Sequence, residues 1–96
     1  MSVTVIVTFH AAEGKADALR ALLEHGRDVS RRAEGCEDFE IHQREDDPNE
    51  CLFVERWTSI EAHHANMQTN IVETGHLAKI LPLLSRPIES GAYRTV

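Results

Sequence analysis

The sequence predicts an α+β fold of the ferredoxin-like, split βαβ kind, an antiparallel sheet with helices on one face. Three observations carry this. Strand-like runs, three alternating between apolar and polar residues and one continuously apolar, occur near the start, twice in the middle and at the end of the chain. Two stretches with apolar residues at helical spacing separate them. Turn residues join the middle runs into a hairpin, so the order is β-α-β-β-α-β. At 96 residues the chain forms a single domain, 1–96, with one modest core.

Val3 to His10 is the first predicted strand. Val3, Val5, Val7 and Phe9 share one face; Thr4, Ile6, Thr8 and His10 share the other. Glu13-Gly14-Lys15 turns into a helix whose stripe is Leu19, Leu22, Leu23, Gly26 and Val29, with Gly35 placed to cap its end. Phe39 and Ile41 alternate with polar neighbours, and Leu52-Phe53-Val54 is continuous, which predicts a second and third strand around a turn at Asp47-Pro48-Asn49. Thr58 and Glu61 have capping-box spacing just after Trp57. The helix that follows carries Ile60, His64, Met67 and Ile71 on one stripe, bordered by a polar ridge of His63, Asn66 and Asn70. Gly75 interrupts the pattern, Leu77, Ile80, Leu81 and Leu84 resume it, and Ile88 to Val96 is the last predicted strand.

Composition narrows the function. A hydrophobic content of 42% suits a globular chain. The net charge of −6, from 16 acidic and 10 basic residues, argues against nucleic acid and anionic membrane as partners. No apolar run approaches a membrane span and no signal-peptide pattern opens the chain, so a cytoplasmic protein is expected. Cys36 and Cys51 would sit roughly 26 Å apart along the hairpin, beyond disulfide reach, and are read as buried thiols. With no glycine-rich phosphate loop after a strand and no spaced ligand cluster, neither a cofactor nor a metal is expected.

Several segments, taken in order, resemble the antibiotic biosynthesis monooxygenase family. Glu13-Gly14-Lys15 is similar to its Pro-Gly-Lys lead-in to the first helix, and Glu34-Gly35-Cys36 to its Glu-Pro-Gly-Cys. Asp46-Asp47-Pro48-Asn49-Glu50 resembles its hairpin turn and Phe53-Val54-Glu55-Arg56-Trp57-Thr58-Ser59 its third strand. Gly75-His76-Leu77 and Leu81-Pro82-Leu83-Leu84 resemble its C-terminal motifs. The resemblance implies a dimeric α+β barrel, hence a homodimer, with a pocket in each subunit between sheet and helices. It also implies cofactor-independent oxidation of a quinol or polycyclic hydroxyaromatic, so that the partners are a small aromatic substrate and O₂. Asn66 stands where many relatives carry His, and Asn70 to Thr74 reads as added length over the pocket mouth.

Such chemistry needs a hydrogen-bond acceptor or base to form the phenolate, a wall to orient the ring, and a site that excludes water. The candidate catalytic residues are Asn66, His76, and one of His63 and His64, which point about 100° apart on a helix. The candidate substrate-binding residues are Trp57, Met67, Ile71, Val7 and Phe9. Two alternatives stand beside oxygenation: a barrel that binds a small ligand without turning it over, and haem degradation with His76 as iron ligand. The open sheet face, with Ile6 and Thr8, predicts burial against a twofold-related copy.

Overall fold

A computed structural model describes residues 2–96 of the chain. Alternation builds the sheet: β1 (Val3–His10), β2 (Cys36–Arg44), β3 (Asp47–Trp57) and β4 (Glu89–Tyr93) run antiparallel in the order β2-β3-β1-β4, as in ferredoxin-like folds. Val7 lies opposite Phe53, and Phe53 opposite Ile41, so one face gathers the apolar side chains. Phe53 meets Phe9 and Phe39 edge-to-face at 4.9 and 4.7 Å.

That face is covered by α1 (Ala16–Ser30), α2 (Ile60–Asn66), a π-helical segment (Met67–Val72) and α3 (His76–Ile80), followed by a 3₁₀ turn at Leu81–Leu83. Leu19, Leu23, Gly26 and Ser30 are the buried positions of α1, at i, i+4, i+7 and i+11. Ser30 is polar, so the hydrophobic pattern did not mark it. Among the described residues no helix is long and apolar enough to cross a membrane.

Four local expectations are corrected. The hairpin turn falls at Glu45-Asp46, and Asp47-Pro48-Asn49 instead opens β3 as an irregularity where the register shifts between Gln43 and Arg44. The turn chemistry is still used there, because Asp47 Oδ1 accepts from Asn49 N at 3.0 Å. The cap of α2 is Ser59, whose Oγ accepts from Ala62 N, and not Thr58. Gly35 does not cap α1: it sits at φ 86° in the turn before β2, where a Cβ would meet Ala62 Cβ at 2.6 Å. The last strand stops at Tyr93, opposite Thr4, because β1 begins at Val3 and leaves no partner for the alternation that continues to Val96. Of the two thiols, Cys51 is buried and Cys36 only partly; both are free.

The second face of the sheet carries Thr4, Ile6, Thr8, Leu52 and Val54, all half-buried. Tyr93, 57% exposed, lies across Gly91 on this face, its hydroxyl 2.9 Å from where a Gly91 Cβ would stand.

Candidate functional site

Between the covered face and the helices lies a cavity of about 90 Å³. Its sheet wall is Val7, Phe9, Phe39, Phe53 and Glu55; its helical wall is Gly26, Ser30, His63, Asn66, Met67, Ile71, His76, Leu77 and Ile80. Ile88 and Ser90 complete it beside β4. Ser90 is the exposed lining residue, with Met67, Leu77 and Ile88 half-buried, so the mouth opens on that side.

Helix geometry decides which side chains reach the cavity. The expected stripe of Ile60, His64, Met67 and Ile71 is corrected: His63, Asn66 and Ile71 are the buried residues of this stretch, and His64 faces outward. The polar ridge turned inward because polar partners wait there, Glu55 on β3 and Ser30 on α1. Ile71 follows Asn66 by five residues, the repeat of a π-helix and not of an α-helix. The bond from Glu73 N to Gln68 O at 3.0 Å has that same five-residue span. The stretch read as added length, Asn70 to Thr74, falls in this segment and the turn after it.

Asn66 is held from both sides. Its Nδ2 donates to Ser30 Oγ at 3.0 Å and its Oδ1 accepts from Asn70 Nδ2 at 2.8 Å. One amide hydrogen and one lone pair remain for a ligand. His76 is drawn against α1 by a 2.8 Å bond from Nε2 to Leu22 O. A carbonyl only accepts, so Nε2 carries the proton and a neutral ring keeps Nδ1 as acceptor. Burial pushes the His76 pKa below its ordinary 6.5; the Leu22 carbonyl opposes this, and His25 and Lys79 add to it by charge. Gly26 leaves room for this contact, since a Cβ there would lie 3.2 Å from His76 Nε2 and would press the ring by a few tenths of an ångström.

The structure therefore places His63, Asn66, His76, Met67, Ile71, Val7 and Phe9 on one cavity. It does not bring Trp57 or His64 to it. Trp57 is 0% exposed and packs behind the wall, its ring edge-on to His63 at 5.8 Å, with Nε1 donating to Glu55 Oε1 at 2.9 Å. It closes the strand end against the helices and does not present a stacking face to a ligand. Sequence reasoning missed Glu55, which is 2% exposed. The signal was available: Glu55 shares its strand face with Phe53 and Trp57, a carboxylate in phase with the core. Among the described residues no group of three or more His, Cys, Asp or Glu is arranged to hold a metal ion.

Comparison with known proteins adds to this geometry. Residues 2–77 match the family model described as antibiotic biosynthesis monooxygenase. Among solved structures, Rv0793 from Mycobacterium tuberculosis is 25% identical at a TM-score of 0.89, covering 100% of this chain and 96% of that one. PA3566 from Pseudomonas aeruginosa is 24% identical at a TM-score of 0.85, covering 99% of this chain and 94% of that one. A conserved protein from Methanosarcina mazei is 16% identical at a TM-score of 0.91, covering 100% and 94%. The last two speak for the fold alone. No curated protein matches the chain.

Proposed function

The chain belongs to the antibiotic biosynthesis monooxygenase family, and from that premise we propose that it is a cofactor-independent monooxygenase acting on a quinol or related hydroxyaromatic with O₂. The observation that carries the reading is the cavity itself, mainly apolar, with a few fixed polar groups at Ser30, Glu55, His63, Asn66 and His76. An apolar cavity of about 150 Å³ holds benzene; at about 90 Å³ this one is smaller still, which argues against polycyclic substrates and leaves a one-ring quinol lying partly in the open mouth beside Ser90.

The chemistry balances without an external reductant. A positioned acceptor takes the hydroxyl proton, and the phenolate passes one electron to O₂. Recombination puts one oxygen on the ring, and the other leaves as water. All four electrons come from the substrate, which ends as a hydroxyquinone. His63, and His76 through Nδ1, are the acceptors this wall offers; Asn66 has an amide hydrogen for the developing oxyanion. The apolar lining keeps water from the intermediates.

Oxygen consumption against a panel of one-ring quinols, corrected for autoxidation, tests the reading. Turnover well above buffer is expected. If no quinol is consumed faster than in buffer, the oxygenase assignment fails and a non-catalytic ligand-binding barrel replaces it. The homodimer belongs to the same proposal: Ile6, Leu52, Val54 and Tyr93 on the open face suit burial against a second copy. Sedimentation should give twice the 10.8 kDa chain mass, and a clean monomer would overturn it.

A further inference from the structure

A quinol oxygenase needs an acceptor for the substrate's hydroxyl proton, so the role given to any such acceptor rests on the oxygenase reading. The cavity holds a buried carboxylate with an unusual set of neighbours. Glu55 lies on the covered sheet face, opposite Val5 on β1 and Phe39 on β2, a position that packing alone would fill with an apolar residue. A buried carboxylate is costly unless paired and hydrogen-bonded. Its Oε1 accepts from Trp57 Nε1 at 2.9 Å, and that same oxygen stands 3.3 Å from His63 Nδ1. The His63 distance suits an ion pair, but the alignment is not yet that of a hydrogen bond, and Nδ1 is buried with no hydrogen-bond partner.

His63 is itself 7% exposed, and both residues line the cavity. Trp57 packs edge-to-face against the ring, centroids 5.8 Å apart. The other cavity groups are more fully committed: His76 Nε2 is tied to Leu22 O, and Asn66 is tied to Ser30 and Asn70. His63 is the imidazole with a carboxylate beside one nitrogen and no bond yet made.

We propose that Glu55 and His63 form a carboxylate–imidazole pair in which His63 Nε2 takes the hydroxyl proton of a one-ring phenolic substrate, with Glu55 as the positioning residue. A small ring rotation closes the Nδ1–H to Oε1 bond, a tightening common when substrate arrives. That tautomer leaves Nε2 as a bare lone pair. The substrate O–H bond breaks, its electron pair stays on the phenolate oxygen, and a new N–H forms on Nε2. The resulting imidazolium is paired with the Glu55 carboxylate. No electron moves in this step; oxidation by O₂ comes after it.

The test uses 4-nitrophenol under nitrogen, a one-ring phenol whose phenolate is yellow, at a mildly acid pH where the free compound is colourless. The parent protein should bind it with a saturating phenolate band. His63→Gln and Glu55→Gln should bind it without that band, while Glu61→Gln, the same charge change on the exposed side of α2, should keep it. With quinol and O₂, Glu55→Gln should lower kcat about 10²-fold with KM nearly unchanged, a split that a packing defect would not give. Binding only as the neutral phenol, no binding at all, or a full band in Glu55→Gln would overturn the pair. If Glu55→Gln does not fold, a full band in His63→Gln overturns it instead. A phenolate band lost in the variants, with no quinol consumed by the parent, would sink the oxygenase reading and leave the pair standing. Parent-like quinol turnover by Glu55→Gln would do the reverse.

Discussion

The two walls of the cavity are built by different rules. The sheet wall is regular: Val7, Phe9, Phe53 and Phe39 follow from period-two alternation, and their cross-strand neighbours lock them. The helical wall is irregular. It passes from α2 through a π segment and a left-handed glycine, Gly75 at φ 81°, into α3. The first wall supplies shape and the second supplies most of the polar groups. Rigid placement and adjustable chemistry are thus divided between sheet and helix, with Glu55 as the one ionisable group that the sheet contributes.

If the sheet wall is the rigid one, damage to it should cost the most stability. Trp57 is the largest fully buried side chain and also holds Glu55 Oε1. Trp57→Ala should destabilise the domain by about 3–5 kcal/mol in urea unfolding. Trp57→Phe should cost less, since it keeps most of the volume and loses chiefly the Nε1 donor, about 1–3 kcal/mol. Equal losses in both would mean that the hydrogen bond, and not the packing, dominates this wall.

The helical wall should answer differently, with a smaller loss of stability beside a loss of function. Asn66→Ala leaves Ser30 Oγ and Asn70 Nδ2 without their partner. Ser30 is buried and Asn70 only partly so, which puts the cost at about 1–3 kcal/mol. Quinol turnover should fall by about 10²-fold or more if Asn66 serves the oxyanion. His64→Ala should match the parent in both measurements, because His64 faces away from the cavity. A severe loss at His64 would show that the helix lies rotated in solution.

The same contrast explains what the sequence revealed. Strand alternation identified the element order and put Val7 and Phe9 on the cavity face, because a sheet repeats every two residues with little room for error. The first helix was legible for a similar reason, its leucines keeping one period throughout. The second was not. A stripe drawn at 3.6 residues per turn put His64 inside and His63 beside it, whereas polar partners on β3 and α1 turned His63 and Asn66 inward. No periodicity rule sees those partners, since they come from elements far apart in sequence. Trp57 misled for a different cause: an aromatic at a strand end reads first as core, and a ligand wall was added to that reading, whereas here the ring is core alone and its indole N–H is held by Glu55.

The smallest expected effect concerns His76, where the helical wall meets α1. Burial, with charge from His25 and Lys79, holds its pKa below 6.5, against the opposing pull of the Leu22 carbonyl. The unfolded chain therefore binds more protons than the folded one as pH falls through that range. The contribution of His76 to stability is full above about 6.5, the unfolded value, and is lost as pH drops through the lower folded value. One group can change the slope by no more than one proton, about 1.4 kcal/mol per pH unit. Urea midpoints compared between about pH 7.5 and about pH 5.5 should fall more steeply for the parent than for His76→Gln, which has no titrating group there. Gln can still donate to Leu22 O, so the two proteins should be closest in stability at the acid end, where the parent has lost its His76 contribution. Parallel slopes would mean that His76 is protonated as readily in the fold as outside it, and its Nδ1 would then lose its lone pair to a proton as pH falls below about 6.5.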